Sequence, residues 1–232
     1  MKRIILLTIC IIIALGLVGC GCGNSDDASQ GDDKRVAITV DGEDVFLDEA
    51  KYYAYSSQAT YEVYFITQGE EIDWSQPVEG STWEGTVKGQ VLDEICRREF
   101  FYEKRNEYNV KLDKAEKKEV GRKVKNYFSK SNKKLKSKIG ISKSRLKDVF
   151  TKAAISQKVE DIMEAEKKGS AGKAYKKWVD DVSVECEKCW SDIHFNDHIF
   201  TLDNVDEEGG VTSENDMGEP DTETVISDNE IE

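Results

Sequence analysis

Apolar residues alternate from Val36 to Val40, Asp41-Gly42 interrupts them, and Val45-Phe46 resumes, which predicts a hairpin closed by a two-residue turn. From there the period lengthens. Ala50, Tyr53, Ala54, Tyr61, Tyr64 and Phe65 recur at helical spacing behind Asp48, a capping residue, and the pattern stops at Gly69. A loop with Trp74, Pro77, Gly80 and Trp83 leads to Thr82, which can cap a second helix built on Val87, Val91, Leu92, Ile95, Cys96 and Phe100 and running to about Asn106. Asp113-x-x-Glu116 is a capping-box pattern, followed by Val120, Val124, Tyr127 and Phe128 on one helical face. Ser142 can cap a fourth helix using Leu146, Val149, Phe150, Ala153, Val159, Ile162 and Met163. That helix dissolves at Lys167 to Gly172, and a short fifth helix carries Ala174, Tyr175 and Trp178. Val182 to Cys186 alternates again and can pair with the opening hairpin. The fold class expected is mainly α with a small terminal β-sheet.

Charge divides the same chain differently. Of 33 Lys+Arg and 46 Asp+Glu, residues 97–168 hold 23 basic and 11 acidic groups, whereas residues 201–232 hold 12 acids and no base. The net charge of -13 therefore hides a basic middle. Residues 199–232 read as an acidic, disordered tail, with too little apolar surface to offset the entropy of ordering. At the other end, two basic residues precede the apolar run Ile4 to Val18, too short to span a bilayer comfortably, and residues 1–19 read as a secretory signal. Leu17-Val18-Gly19-Cys20 resembles the bacterial lipobox. The resemblance implies that Cys20 is acylated and that the protein sits on the outer face of the cytoplasmic membrane, followed by a flexible linker over 20–33. The alternative is an ordinary cleaved signal with an incidental cysteine. The domain proper is then 34–198.

Ile38-Thr39-Val40-Asp41-Gly42-Glu43, the Tyr-rich helix, Val91-Leu92-Asp93-Glu94-Ile95, Asn109 to Asp113, Ile139-Gly140-Ile141-Ser142 and Tyr175 to Trp178 with Trp190 follow one another as in a known family. The succession resembles the N-terminal chaperone domain of SurA and PrsA-like foldase lipoproteins, over roughly residues 36–195. The resemblance implies a SurA-N/trigger-factor-like helical domain that binds unfolded secreted polypeptides. Enzymatic members insert a parvulin-type prolyl isomerase module of about 90 residues after the fourth helix, far longer than an ordinary connection. Here only Glu164 to Gly172 separates Met163 from the fifth helix. Isomerase activity is therefore not expected, and no cofactor is implied. Segments usually acidic in relatives are lysine-rich here, including Lys130, Lys133, Lys134, Lys136 and Lys138.

Three sets of side chains are candidates for binding. Tyr52, Tyr55, Tyr61, Trp74 and Trp83 could hold unfolded clients if exposed, or simply fill the core. Lys114, Lys117, Lys118, Arg122 and Lys125 belong to a stretch, Lys114 to Lys147, with 14 basic and 2 acidic residues. This stretch could attract anionic lipid or wall polymer, could be shielded by the acidic tail, or could be a solvated face; nucleic acid is not expected outside the cell. Cys186-x-x-Cys189 with His194 and His198 has the residue types of a Cys2His2 zinc site, with a local disulfide or free thiols as the alternatives. The function expected is a tethered holdase, and the rival is a lipoprotein scaffold that binds an anionic polymer or lipid.

Overall fold

The computed structural model describes residues 31–78 and 80–204. Strands β1 (Val36–Val40) and β2 (Glu43–Phe46) pair antiparallel across Asp41 and Gly42, whose φ angles of 51° and 84° are the left-handed pair that a tight hairpin demands. A register shift between Val36 and Ile38 bulges β1, and Ala37, Ile38 and Val40 all end up buried. Helix α1 (Leu47–Thr67) follows directly. Its N-cap position is Phe46, not Asp48, which lies inside the first turn because Arg145 holds its carboxylate there, at 3.3 Å. Two short strands unforeseen in the sequence, β3 (Pro77–Val78) and β4 (Ser81–Thr82), precede α2 (Trp83–Glu103). As expected, Thr82 Oγ1 caps α2 by accepting from the Gly85 N–H.

Helix α3 (Lys114–Lys130) opens on a complete capping box: Asp113 accepts from the Glu116 N–H and Glu116 accepts from the Asp113 N–H. A short helix, α4 (Lys133–Ile139), then forms where the sequence read as a basic run; Asn132 caps its start and Gly140, at φ 67°, ends it. Ser142 caps α5 (Lys143–Glu166), and α6 (Ser170–Val179) begins after Gly169. Strand β5 (Val184–Cys186) pairs antiparallel with β1, so the sheet order is β2-β1-β5, and one turn of helix, α7 (Lys188–Ser191), follows. The described chain is thus mainly helical, with its first and last strands joined.

Helix α5 packs on both α2 and α3, while α1 packs on α2 and α4. Every helix contributes to one hydrophobic cluster that includes Ala54, Ile95, Val124, Ile139, Leu146, Tyr175 and Trp190. Two expectations shift at the edges. Tyr64, placed on the apolar stripe, is 60% exposed, whereas Ile199 and Phe200, assigned to the tail, are 0% and 5% exposed. The ordered chain therefore runs past residue 198, because these two apolar side chains find a seat on α1.

Where α1, α2 and α5 meet, charge is buried as well. Lys152 Nζ lies 2.6 Å from Glu99 Oε1 and 3.6 Å from Glu49 Oε1, and Arg145 reaches Glu49 and Asp48. Burial pushes the Glu49 carboxyl above the ordinary carboxylate range, while Glu49 and Glu99 hold the Lys152 ammonium above its own against the pull of burial. Lys152→Met leaves two carboxylates in the core without their shared cation, and the expected loss is roughly 3 kcal/mol in urea unfolding. A carboxyl whose folded pKa is raised contributes most below its unfolded value and loses that contribution as pH rises. The deficit should therefore be larger at about pH 8 than at about pH 5, and a variant as stable as the parent at both would refute the clamp.

Candidate functional site

From Asp192 to Asn204 the chain has no regular structure, yet Ile193, Phe195, Ile199 and Phe200 are buried. Main-chain groups in such a segment have no ladder and must find partners elsewhere. Side chains from three helices supply them. Lys88 Nζ donates to the carbonyls of Trp190, Ser191 and Ile193 at 3.1, 3.3 and 2.8 Å, and Glu84 Oε2 accepts from the Phe195 N–H at 2.9 Å. Gln58 Nε2 donates to the carbonyls of Phe195 and Asp197 at 3.2 and 3.1 Å, and Lys138 Nζ adds a second bond to Asp197 O at 2.7 Å. Glu62 Oε2 accepts from the N–H groups of both Ile199 and Phe200 at 2.8 Å each. Farther out, Glu71 Oε1 accepts from the Leu202 N–H.

Glu62 is the centre of this arrangement. Its other oxygen accepts from Gln58 Nε2 at 2.8 Å and Trp74 Nε1 at 3.2 Å, and His198 Nδ1 stands 3.3 Å away, within ion-pair range but not aligned for a hydrogen bond. Burial pushes the Glu62 carboxyl above the ordinary carboxylate range, opposed by the bonds from Phe200, Gln58, Trp74 and Ile199. Burial also pulls the Lys88 and Lys138 ammonium groups below theirs. The apolar contacts fall into two parts. Phe195 enters the main core against Trp74, with ring centroids 4.8 Å apart, and near Tyr55 at 6.3 Å. Ile199 and Phe200 form a separate small cluster with Ala59, lined by Tyr55, Val63, Ile66 and Leu135. The α1–α4 face thus holds an irregular, bent stretch of polypeptide by its main chain and by two adjacent apolar side chains.

The aromatic residues expected to meet clients do not form an exposed surface. Tyr52 and Trp74 are buried, and Tyr55, Tyr61 and Trp83 are half-buried. Tyr52 packs on Tyr127 and Phe150, and Trp83 on Phe65 and Tyr61. Tyr55 and Trp74 do touch non-helical polypeptide, but it is the chain's own Phe195. Gln58, Glu62, Glu84 and Lys88 were missed. The signal for the first two was present, since Ala50, Ala54, Gln58 and Glu62 continue one i,i+4 row that starts apolar and buried. Lys114, Lys117, Lys118, Arg122 and Lys125 are all exposed on α3, Arg122 in an ion pair with Glu119. Cys20 lies outside the described residues.

The four candidate zinc ligands are not brought together. His194 Nδ1 sits on Glu84 at 2.9 Å, His198 faces Glu62, Cys189 Sγ donates to the Val36 carbonyl, and Cys186 is exposed at the end of β5. Among the described residues no group of three ligating side chains could hold a metal, and Cys186 and Cys189 are not joined by a disulfide. Each histidine has instead been taken by a helix carboxylate. Burial pushes the Cys96 thiol up to about 12 and raises that of half-buried Cys189. Alkylation at neutral pH, mapped by mass spectrometry, should therefore label Cys186 first, Cys189 more slowly and Cys96 only on unfolding. Protection of Cys186 together with about one equivalent of bound zinc would overturn this placement. Compared with protein-family models, curated proteins and solved structures, the chain matches none.

Proposed function

We propose that the protein is a membrane-tethered extracytoplasmic holdase, attached through Cys20, which binds non-native secreted polypeptide without catalysis. The observation that supports this reading is the α1–α4 face, where Gln58, Glu62 and Lys138 bind carbonyl and N–H groups of residues 195–200. Main-chain recognition suits varied clients, because every polypeptide offers the same donors and acceptors. The small cluster under Ile199 and Phe200 adds selectivity for apolar pairs, which folded proteins hide and unfolded ones expose. It is a cluster distinct from the one that seats Phe195, with Tyr55 and Leu135 bordering both, so residues 198–204 are the part that leaves in this reading. A client segment then takes their place on Glu62. The SurA-N-like domain assignment and the lipid attachment belong to the same proposal. With only Lys167–Gly169 between α5 and α6, it includes no isomerase step.

The test uses the chain from residue 20 with Cys20→Ser, at stoichiometric amounts with an aggregation-prone client whose refolding is limited by proline isomerisation. The expected result is a higher refolding yield at an unchanged slow rate. Ile199→Ser with Phe200→Ser should improve capture several-fold by freeing the seat, and Glu62→Ala should weaken it. No gain in yield from any of these proteins would refute the holdase, and acceleration of the slow phase at catalytic amounts would replace it with an isomerase.

A further inference from the structure

Lysines in this protein divide into those that serve the fold and those that face outward. Lys152 is buried between carboxylates, Lys158 pairs with Glu116, and Lys134 and Lys138 pair with Asp197. Lys125, Lys130, Lys133, Lys143 and Lys147 are exposed and, among the described residues, form no ion pair. These five gather at one end of the molecule. Lys158 on α5 pairs with Glu116 at the start of α3, so these helices run antiparallel and the C-terminal half of α3 lies beside the N-terminal half of α5, with α4 starting three residues after α3 ends. They meet the first turns of α1 through Tyr52, whose ring packs on Tyr127 at 6.0 Å and on Phe150 at 5.5 Å, and through the Asp48–Arg145 pair.

The N-terminal end of the described chain is at this same place. The Asp32 carbonyl accepts from the Asp48 N–H at 3.2 Å, and the Asp32 carboxylate pairs with Lys51. Phe128 is one of three large hydrophobic side chains exposed among the described residues, and it lies between Lys125 and Lys130 on α3. Against the five lysines stand the exposed Asp33 and Asp148, so the platform stays positive.

We propose that Lys125, Lys130, Lys133, Lys143 and Lys147, with the partly exposed ring of Phe128 beside them, form a platform that docks on an anionic lipid bilayer. Charge complementarity selects an anionic surface. The aromatic ring selects a bilayer over a soluble polyanion, since only the bilayer offers an apolar layer beneath its charges. Position adds a third argument, which rests on the Cys20 attachment proposed above. Eleven residues from Cys20 to Gly31 reach at most about 3.5 Å each, so a chain anchored there holds this end within about 40 Å of the membrane.

Sedimentation with phosphatidylglycerol vesicles tests the platform on the chain from residue 20 with Cys20→Ser, which carries no acyl group. Neutral phosphatidylcholine vesicles should bind at least tenfold more weakly. The triple reversal Lys125→Glu, Lys130→Glu, Lys133→Glu should cost about a hundredfold or more, at about fivefold per lysine. Reversal of Lys114, Lys117 and Lys118 should cost under threefold, because α3 of 17 residues is about 25 Å long and the Debye length is about 10 Å. Phe128→Ser should weaken vesicle binding several-fold yet leave polyphosphate binding unchanged. Circular dichroism of each variant verifies that the fold is retained. Equal losses from the two triple reversals would mean diffuse attraction, and a neutral Phe128→Ser would mean a polyanion site; either overturns the proposal.

Discussion

A buried stretch of chain without helix or strand has to satisfy its main-chain groups some other way, and much of this structure answers that requirement. Residues 190–202 cross α1, α2 and α4, and their carbonyl and N–H groups end on Lys88, Glu84, Gln58, Glu62, Lys138 and Glu71. Each helix must therefore carry polar side chains at core-facing positions. Burial of an ionised carboxylate costs several kcal/mol unless hydrogen bonds replace its water. Glu62 meets that condition with four donors spread over its two oxygens. Removing the segment would strand the carboxylate as well as the apolar seat, so helix face and strap specify each other.

The parts that the sequence revealed are those governed by local chemistry. Asp41-Gly42 supplies two left-handed residues, and Thr82, Asp113 with Glu116, and Ser142 cap three helices where they were expected to. Each decision involves residues no more than three apart. What was illegible depends on contacts between distant segments. Asp48 was read as a cap because its partner, Arg145, is 97 residues away. Helix α4 was hidden in a lysine run in which Ile139 is the one fully buried side chain and Leu135 the one other apolar contact. Ile199 and Phe200 were assigned to the tail because their neighbours beyond Thr201 are acidic, although their own burial is decided on α1. The aromatic candidates stayed open between client contact and core for a related reason: their type indicates a large apolar area but not which way it faces.

Charge segregation along the chain has a different outcome in space. The basic middle does not form one surface, since its members are divided among a buried clamp at Lys152, a lock on the strap at Lys134 and Lys138, and an outward end near Phe128. Helix α4 takes part in two of these. Lys134 and Lys138 turn toward Asp197 while Lys133 is exposed with the platform. The seven residues of α4 thus carry both strap contacts and one lysine of the outward end, and a change in the strap's seat bears directly on α4.

A segment bound in cis sets a threshold for anything bound in trans. Tethering gives a short neighbouring segment an effective concentration of the order of millimolar, so a competing polypeptide must present either higher affinity or many copies of a suitable segment. Folded proteins bury their apolar pairs and offer few; an unfolded chain offers many along its length. The strap would therefore act less as a block than as a filter. Its satellite cluster, two apolar residues against Ala59 and its neighbours, is worth at most about 3 kcal/mol per side chain. For the two together that is at most about 6 kcal/mol, and because Phe195 and Trp190 belong to the main core, the proposed exchange for a client would leave their seats in place.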